Sequence, residues 1–147
     1  MRFIRFAATA AAVLLASSSA FAQAQTQTLD MKGTWKAVGE AIVSGPAAHH
    51  PPGSAAQAAG NNRLRKQSYT ISIQGQDAKR FWGEVVSDAA REPIVGSLSH
   101  DGKWIYTASR YGLIDGTVVD NDTIQVCYRQ VTDQAFLVGC SEWKRQK

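Results

Sequence analysis

The most informative absence in this 147-residue sequence is that of a second long apolar run. An apolar stretch at residues 7–16 follows two arginines, Arg2 and Arg5, and is followed by Ala20-Phe21-Ala22. A basic start, an apolar centre too short to cross a bilayer and an Ala-x-Ala site are typical of a secretory signal peptide. We therefore predict that residues 1–22 are a signal peptide, with Ala24 as the alternative cleavage site. No transmembrane span is expected, and the mature protein is expected to be periplasmic or extracellular.

Net charge is also low. The full sequence carries +4, and removal of Arg2 and Arg5 leaves 14 basic and 12 acidic side chains. Basic residues cluster only at residues 63–66 and 144–147. This is far less positive charge than nucleic-acid-binding surfaces carry, so no nucleic-acid partner is expected. We interpret both clusters as solvated faces.

Cysteine is scarce, since Cys127 and Cys140 are the only two. In an exported chain an even cysteine count favours a disulfide. Asp133-Gln134 lies midway between them and is a candidate hairpin tip, so the cysteines would face each other across neighbouring strands. We predict a Cys127–Cys140 disulfide on the outer surface. Loop-closure entropy gives it a stabilisation of about 3 kcal/mol.

Motifs that carry catalysis or bind metals are missing. The sequence has neither a Gly-x-Ser-x-Gly elbow nor a glycine-rich phosphate loop. His49-His50 lies in a proline-rich stretch and His100 in a separate turn, without the spacing or the partners of a metal site. We therefore expect no catalytic residue, no metal and no cofactor. An enzyme remains a third hypothesis, because active sites are also assembled across strands.

The sequence does contain eight short runs in which apolar and polar residues alternate. The clearest is 67–74, where Tyr69, Ile71 and Ile73 alternate with polar residues. A period of two predicts half-buried strands. The eight predicted strands cover residues 33–43, 67–74, 80–87, 94–99, 104–108, 113–119, 123–130 and 135–145. Short turns join them except at residues 45–66, which we interpret as a loop.

Eight antiparallel strands in sequence order can close into a barrel, which leaves no exposed sheet edge. A two-sheet β-sandwich is the alternative. The short turns and the lack of a long crossover favour the barrel. We predict an all-β fold, a single antiparallel eight-stranded up-and-down barrel at residues 33–147, preceded by a flexible leader at 23–32. Eight strands leave an interior that is either just filled or holds one small ligand.

The two ends of the predicted barrel resemble known sequences. Gly33-Thr34-Trp35 resembles the Gly-x-Trp opening of lipocalins and avidins, which are calycin-type eight-stranded barrels. Trp143-Lys144 resembles the last strand of avidin-like chains. The resemblance implies a calycin-type barrel. Avidins follow the opening tryptophan with an Asn and a Ser that bind biotin, whereas residues 36–40 here are Lys-Ala-Val-Gly-Glu, so biotin binding is not carried over.

The functional prediction is non-catalytic binding of a small apolar or aromatic ligand. Residues 45–66 are expected to lie over one barrel end, since a long loop on a rigid scaffold is the usual place for recognition. The predicted ligand-binding side chains approach that end from below or lie in the loop, and they are Trp82, Trp104, Tyr106, His49 and His50. Ordinary packing is the alternative role for the aromatic residues.

A competing prediction is an envelope or extracellular protein-interaction or structural module. Such a protein would have a filled interior and an exposed apolar patch around Val38, Ile42 and Val86. Its partner would be an envelope protein rather than a small molecule, and an oligomer is left open. The two carboxylates within predicted strands, Glu84 and Asp115, are expected to face outward in either case.

Overall fold

The computed structural model describes residues 28–45, 57–59, 62–88 and 90–147, with the backbone alone at 57–59. The predicted signal peptide, most of the leader, and His49 and His50 lie outside the described residues. Within the described ranges every regular element is a β-strand, and no helix could cross a membrane.

Nine strands are found in these ranges. They are β1 (Gly33–Ser44), β2 (Gln57–Ala59), β3 (Asn62–Asp77), β4 (Arg80–Val86), β5 (Arg91–Leu98), β6 (Trp104–Ala108), β7 (Leu113–Asp120), β8 (Thr123–Val131) and β9 (Phe136–Arg145). From β3 to β9 each strand pairs antiparallel with the next, and β1 pairs with both β3 and β9. This closes an eight-stranded antiparallel barrel, to which the short β2 is added alongside β3. The predicted all-β barrel is confirmed, and the sandwich alternative is wrong.

Two strands start earlier in the chain than predicted. β3 begins at Asn62, because β1 continues to Ser44 and pairs with β3 along its whole length. The segment interpreted as a loop at 45–66 therefore contains β2 and the start of β3. β5 begins at Arg91 and includes Pro93, which lies before the part of β5 that pairs with β6. A proline there needs no amide donor on its β6 side.

The two ends of the barrel differ. At the plug end, where β1 begins and β9 ends, large side chains fill the interior. Trp35, Phe81, Ile105, Ile124 and Trp143 are all buried there. At the loop end, where β1 ends and β9 begins, Ser44 pairs with Phe136, and the segment that joins β1 to β2 departs.

Residues 28–32 close the plug end. Met31 is fully buried, its backbone N–H donates to Gln76 Oε1 at 2.6 Å, and its carbonyl accepts from Trp35 Nε1 at 3.0 Å. Gln76 Nε2 donates to the Leu29 carbonyl at 2.9 Å. The Arg145 guanidinium lies 4.1 Å from the Trp35 ring centroid and donates to the Lys32 carbonyl at 2.8 Å. The last residues of the predicted leader therefore belong to the packed structure.

The predicted disulfide is confirmed. Cys127 on β8 and Cys140 on β9 are directly opposite in the register, with Cα atoms 4.1 Å apart, and they are bonded. The adjacent residues Val126 and Gly139 face the barrel interior, and Cys140 is exposed, so the bridge lies on the outer surface as expected.

If residues 28–32 close the barrel, substitutions of two adjacent residues there should differ in their effect on stability. Met31→Ala removes a fully buried side chain and should lower the free energy of unfolding by about 2 kcal/mol or more. Lys32→Ala alters an exposed side chain and should change it by less than about 0.5 kcal/mol. Urea unfolding of the chain from Gln23 onward measures both. Equal effects would show that residues 28–32 do not close the barrel.

Candidate functional site

A cavity of about 90 Å³ lies inside the barrel, in the half toward the loop end. Its wall is mostly apolar and comes from seven different strands. The apolar residues that contribute most of this wall are Ile71, Val85, Ile94, Ile114, Val126 and Trp143. An enclosed apolar cavity with a few polar groups is the usual form of a small-molecule site.

The cavity exists because several inward-facing positions carry very small side chains. Ala41 on β1 and Gly139 and Ser141 on β9 form one wall. A Cβ atom added to Gly139 would lie 2.6 Å from the Ala41 Cβ, so these strands approach too closely for anything larger at that position. Ser87, Ala90 and Ser109 line the cavity near the loop end. The plug half has large side chains at its inward positions and is filled.

Gly39 determines where the Tyr69 side chain lies in the site. A Cβ atom there would lie 2.4 Å from the Tyr69 hydroxyl, so the phenol of Tyr69 rests against the β1 backbone. This is the close approach that a mid-strand glycine indicates. Tyr69 can therefore lie along the cavity wall without filling the cavity.

Polar groups of the cavity meet where Glu92 on β5, Tyr128 on β8 and Tyr69 on β3 come close. Glu92 Oε1 accepts a hydrogen bond from the Tyr111 backbone N–H at 3.2 Å. Burial raises the pKa of Tyr128 to about 12, with further contributions from the charge of Glu92 and from Tyr69. Burial also raises the pKa of Tyr69, and the positive charge of Arg65 opposes this. Both phenols are therefore protonated at neutral pH.

Two buried amide atoms at this end have no hydrogen-bond partner among the described residues. They are Gln67 Oε1, on a residue that lines the cavity, and Nε2 of Gln130, which is 2% exposed. Gln130 Oε1 does accept a hydrogen bond, from the Tyr128 hydroxyl at 3.2 Å. An unmade hydrogen bond on a buried polar group costs roughly 1–3 kcal/mol. The cavity is large enough for several water molecules or a small ligand to satisfy Gln67.

The aromatic residues predicted to bind ligand lie elsewhere. Trp82, Trp104 and Tyr106 are 47%, 47% and 51% exposed, and none of them lines the interior cavity. Strand alternation explains this, because their neighbours Phe81 and Ile105 are the ones that point inward. Trp82 and Trp104 also lie near the start of β4 and of β6, at the plug end, so the expectation that they approach the loop end from below is wrong.

Two apolar patches cover parts of the outer surface. The first patch crosses β4 to β7, where Trp82 pairs with Val95, Val95 with Ala108 and Ala108 with Leu113. The second patch crosses β9, β1 and β3. Its exposed side chains are Phe136, Val138, Ile42, Leu64 and Val38. Val38 and Ile42 face solvent as expected for the interaction-module hypothesis, whereas Val86 is half-buried.

Glu92 is the site residue that the sequence analysis missed. It falls between the predicted strands at 80–87 and 94–99, in a segment taken as a connection, whereas it lies inside β5. The strand alternation indicates that Glu92 faces inward, because Ile94 points inward and residues two apart share a face. Glu84 and Asp115 do face outward as predicted, paired with Arg91 and Arg129. Within the described ranges no three His, Cys, Asp or Glu residues lie close enough to share a metal ion.

The proximity of Glu92 and Tyr128 can be tested by titration. Glu92→Gln removes a negative charge that disfavours the phenolate, so the Tyr128 pKa should fall below its value of about 12. Tyrosine Cζ resonances in NMR spectra measure it directly. An unchanged Tyr128 pKa in this variant would show that the two side chains are not neighbours.

The raised pKa of Tyr128 should also make stability depend on pH. Because the folded-state pKa of Tyr128 lies above the ordinary tyrosine value of 10.0, the folded protein holds this proton when the unfolded chain has lost it. The contribution is complete below pH 10 and is lost as the pH rises to about 12. The free energy of unfolding should therefore fall more steeply over this range than it does in Tyr128→Phe, and equal slopes would contradict the burial of the phenol.

No protein-family model and no curated protein matches the sequence. Among solved structures, a redesigned β-barrel aligns with a TM-score of 0.42 and 10% identity, covering 79% of this chain and 91% of that chain. An S-type phycobiliprotein lyase from Guillardia theta aligns with a TM-score of 0.34 and 12% identity, covering 80% and 89%. The chain's own strand pairing establishes the eight-stranded antiparallel barrel, and membership of the calycin group stays a prediction.

Proposed function

We propose that this protein is an exported, non-catalytic barrel that binds one small molecule inside the loop-end half. The observation that carries the proposal is the interior cavity of about 90 Å³, with an apolar wall and a polar end at Glu92, Tyr69 and Tyr128. Small-molecule sites have this composition, and the mouths of β-barrels are among their usual places. The unpartnered oxygen of Gln67 supports it further, because a bound molecule would supply the missing hydrogen bond.

The cavity volume limits the size of the ligand. An apolar cavity of about 150 Å³ is known to accept benzene, and this cavity is smaller at about 90 Å³. A short aliphatic chain fits that space. An aromatic ring would need the Tyr69 or Tyr128 side chain to move. We therefore favour a ligand whose buried part is a short apolar chain.

Export is supported by two independent features. Residues 1–22 have the composition of a signal peptide. The Cys127–Cys140 disulfide lies on the outer surface, and such bonds persist in oxidising compartments such as the periplasm and the extracellular space.

A second candidate function is recognition of an envelope or extracellular protein through the outer surface. It is favoured by the patch of Phe136, Val138, Ile42, Leu64 and Val38, because exposed apolar patches often mark interaction sites. This function uses the outer face of β9, β1 and β3, whereas ligand binding uses the inner face. Variants of the two faces therefore separate the two functions.

Cavity filling tests the first candidate. Ser141→Leu places an isobutyl group in the cavity, and Ser68→Leu makes the same substitution at an exposed position of β3 as a control. Protein purified from its own host is analysed by native mass spectrometry for a co-purified small molecule. We expect wild type and Ser68→Leu to retain the molecule and Ser141→Leu to lose it, with a melting temperature no lower than that of wild type. Thermal denaturation checks that Ser141→Leu is folded, and the milder Ala41→Val serves if it is not.

Retention of the molecule by a folded Ser141→Leu would contradict binding in the cavity. Val138→Asp tests the second candidate function separately, since it disrupts the outer patch without reaching the interior. Loss of a protein partner in Val138→Asp, with no small molecule in wild type, would favour the interaction function instead.

A further inference from the structure

We propose that the ligand is a small aliphatic ammonium ion, whose N–H groups donate to Glu92 and to the Tyr128 hydroxyl and whose short carbon chain lies in the apolar part of the cavity. This inference rests on the proposed function and specifies the chemistry of its ligand. It depends on the hydrogen-bonding groups, the charge and the size of the cavity.

The polar end of the cavity offers acceptors. Glu92 presents a carboxylate with one oxygen engaged by the Tyr111 amide. Gln67 presents a buried oxygen without a partner among the residues that the structure describes. The Tyr128 hydroxyl donates its proton to Gln130, so its free lone pairs are acceptors as well. A primary ammonium has three donors and no acceptor, which matches this set.

The charge of the cavity also favours a cation. Glu92 is the one carboxylate, and neither lysine nor arginine is present, among the described residues that line the cavity. Arg65 is the cation whose charge acts on Tyr69, and it lies outside the lining. The ammonium is therefore placed on the Glu92 and Tyr128 side. A carboxylate ligand would instead face Glu92 with the same sign of charge.

Two aromatic rings add to the preference. Tyr69 and Tyr128 both line the cavity, and both phenols are neutral at physiological pH. The face of an aromatic ring attracts a cation, most strongly where water is excluded. A neutral alcohol of the same length would gain one donated hydrogen bond and no charge interaction.

Size selects the carbon chain. The cavity of about 90 Å³ is smaller than one that accepts benzene, so the ligand must be smaller than benzene and a chain of about two carbons is the appropriate length. Its methyl end would lie toward Ile71, Val126 and Trp143, away from the polar end.

The test compares ethylammonium, ethanol and propionate in NMR titrations of the full mature chain at matched ionic strength. The Tyr111 backbone amide reports on the polar end, because it donates to Glu92. We expect ethylammonium to shift this resonance and to bind at least about tenfold more tightly than ethanol, with propionate weakest. Ser141→Leu, which fills the cavity, should abolish these shifts.

Variants of two glutamates complete the test. Glu92→Gln keeps an acceptor for the Tyr111 amide and removes the charge, so the preference for ethylammonium over ethanol should disappear. Glu92→Asp keeps the charge and should retain part of the preference. Glu84→Gln is the matched control, since Glu84 faces outward and pairs with Arg91, and its preference should equal that of wild type.

The outcomes separate this inference from the proposed function. Equal binding of ethanol and ethylammonium, or a preference that survives in Glu92→Gln, would overturn the proposed ammonium ligand and leave binding in the cavity intact. The absence of any cavity shift with all three probes would also overturn it. The proposed function is then decided independently by retention of the co-purified molecule in wild type and Ser141→Leu.

Discussion

The structure depends on one strand that pairs on both of its edges. β1 pairs with β3 from Gly33 to Ser44 and with β9 from Trp35 to Ser44, and these two ladders turn an open sheet into a barrel. Closure with eight strands sets an interior about as wide as two facing side chains. The size of each inward-facing residue then decides whether a given level of the barrel is solid or hollow. The position of the cavity therefore depends on the sizes of these inward-facing residues.

The inward-facing side chains differ in size between the two ends of the barrel. Tryptophan, phenylalanine and isoleucine side chains fill the plug end, and residues 28–32 close it from below with Met31. Alanine, glycine and serine line one wall of the loop-end half, and polar groups lie among them. An unfilled cavity and unpartnered buried amides both lower stability. The packed half and the Cys127–Cys140 bridge supply the stability that lets the other half stay hollow.

Alternation along each strand predicted most of the fold. It predicted the inward face of β3, and the cysteine spacing predicted the disulfide between β8 and β9. The site was harder to predict because its residues come from seven strands and are neighbours only after the barrel closes. Trp82, Trp104 and Tyr106 were chosen by residue type, although their own parity with Phe81 and Ile105 places them outside. Glu92 was overlooked because it falls between two predicted strands, although its parity with Ile94 places it inside.

Binding inside the loop-end half is the central claim, and adjacent residues of one strand test it most directly. Ile94 points into the cavity and Val95 points to solvent. The measurement is a set of nuclear Overhauser effects between a molecule co-purified with the protein and the methyl groups of these two residues. Binding inside the barrel predicts contacts to Ile94 and none to Val95. Contacts to Val95, with Ile94 silent, would place the ligand on the outer surface and contradict the account.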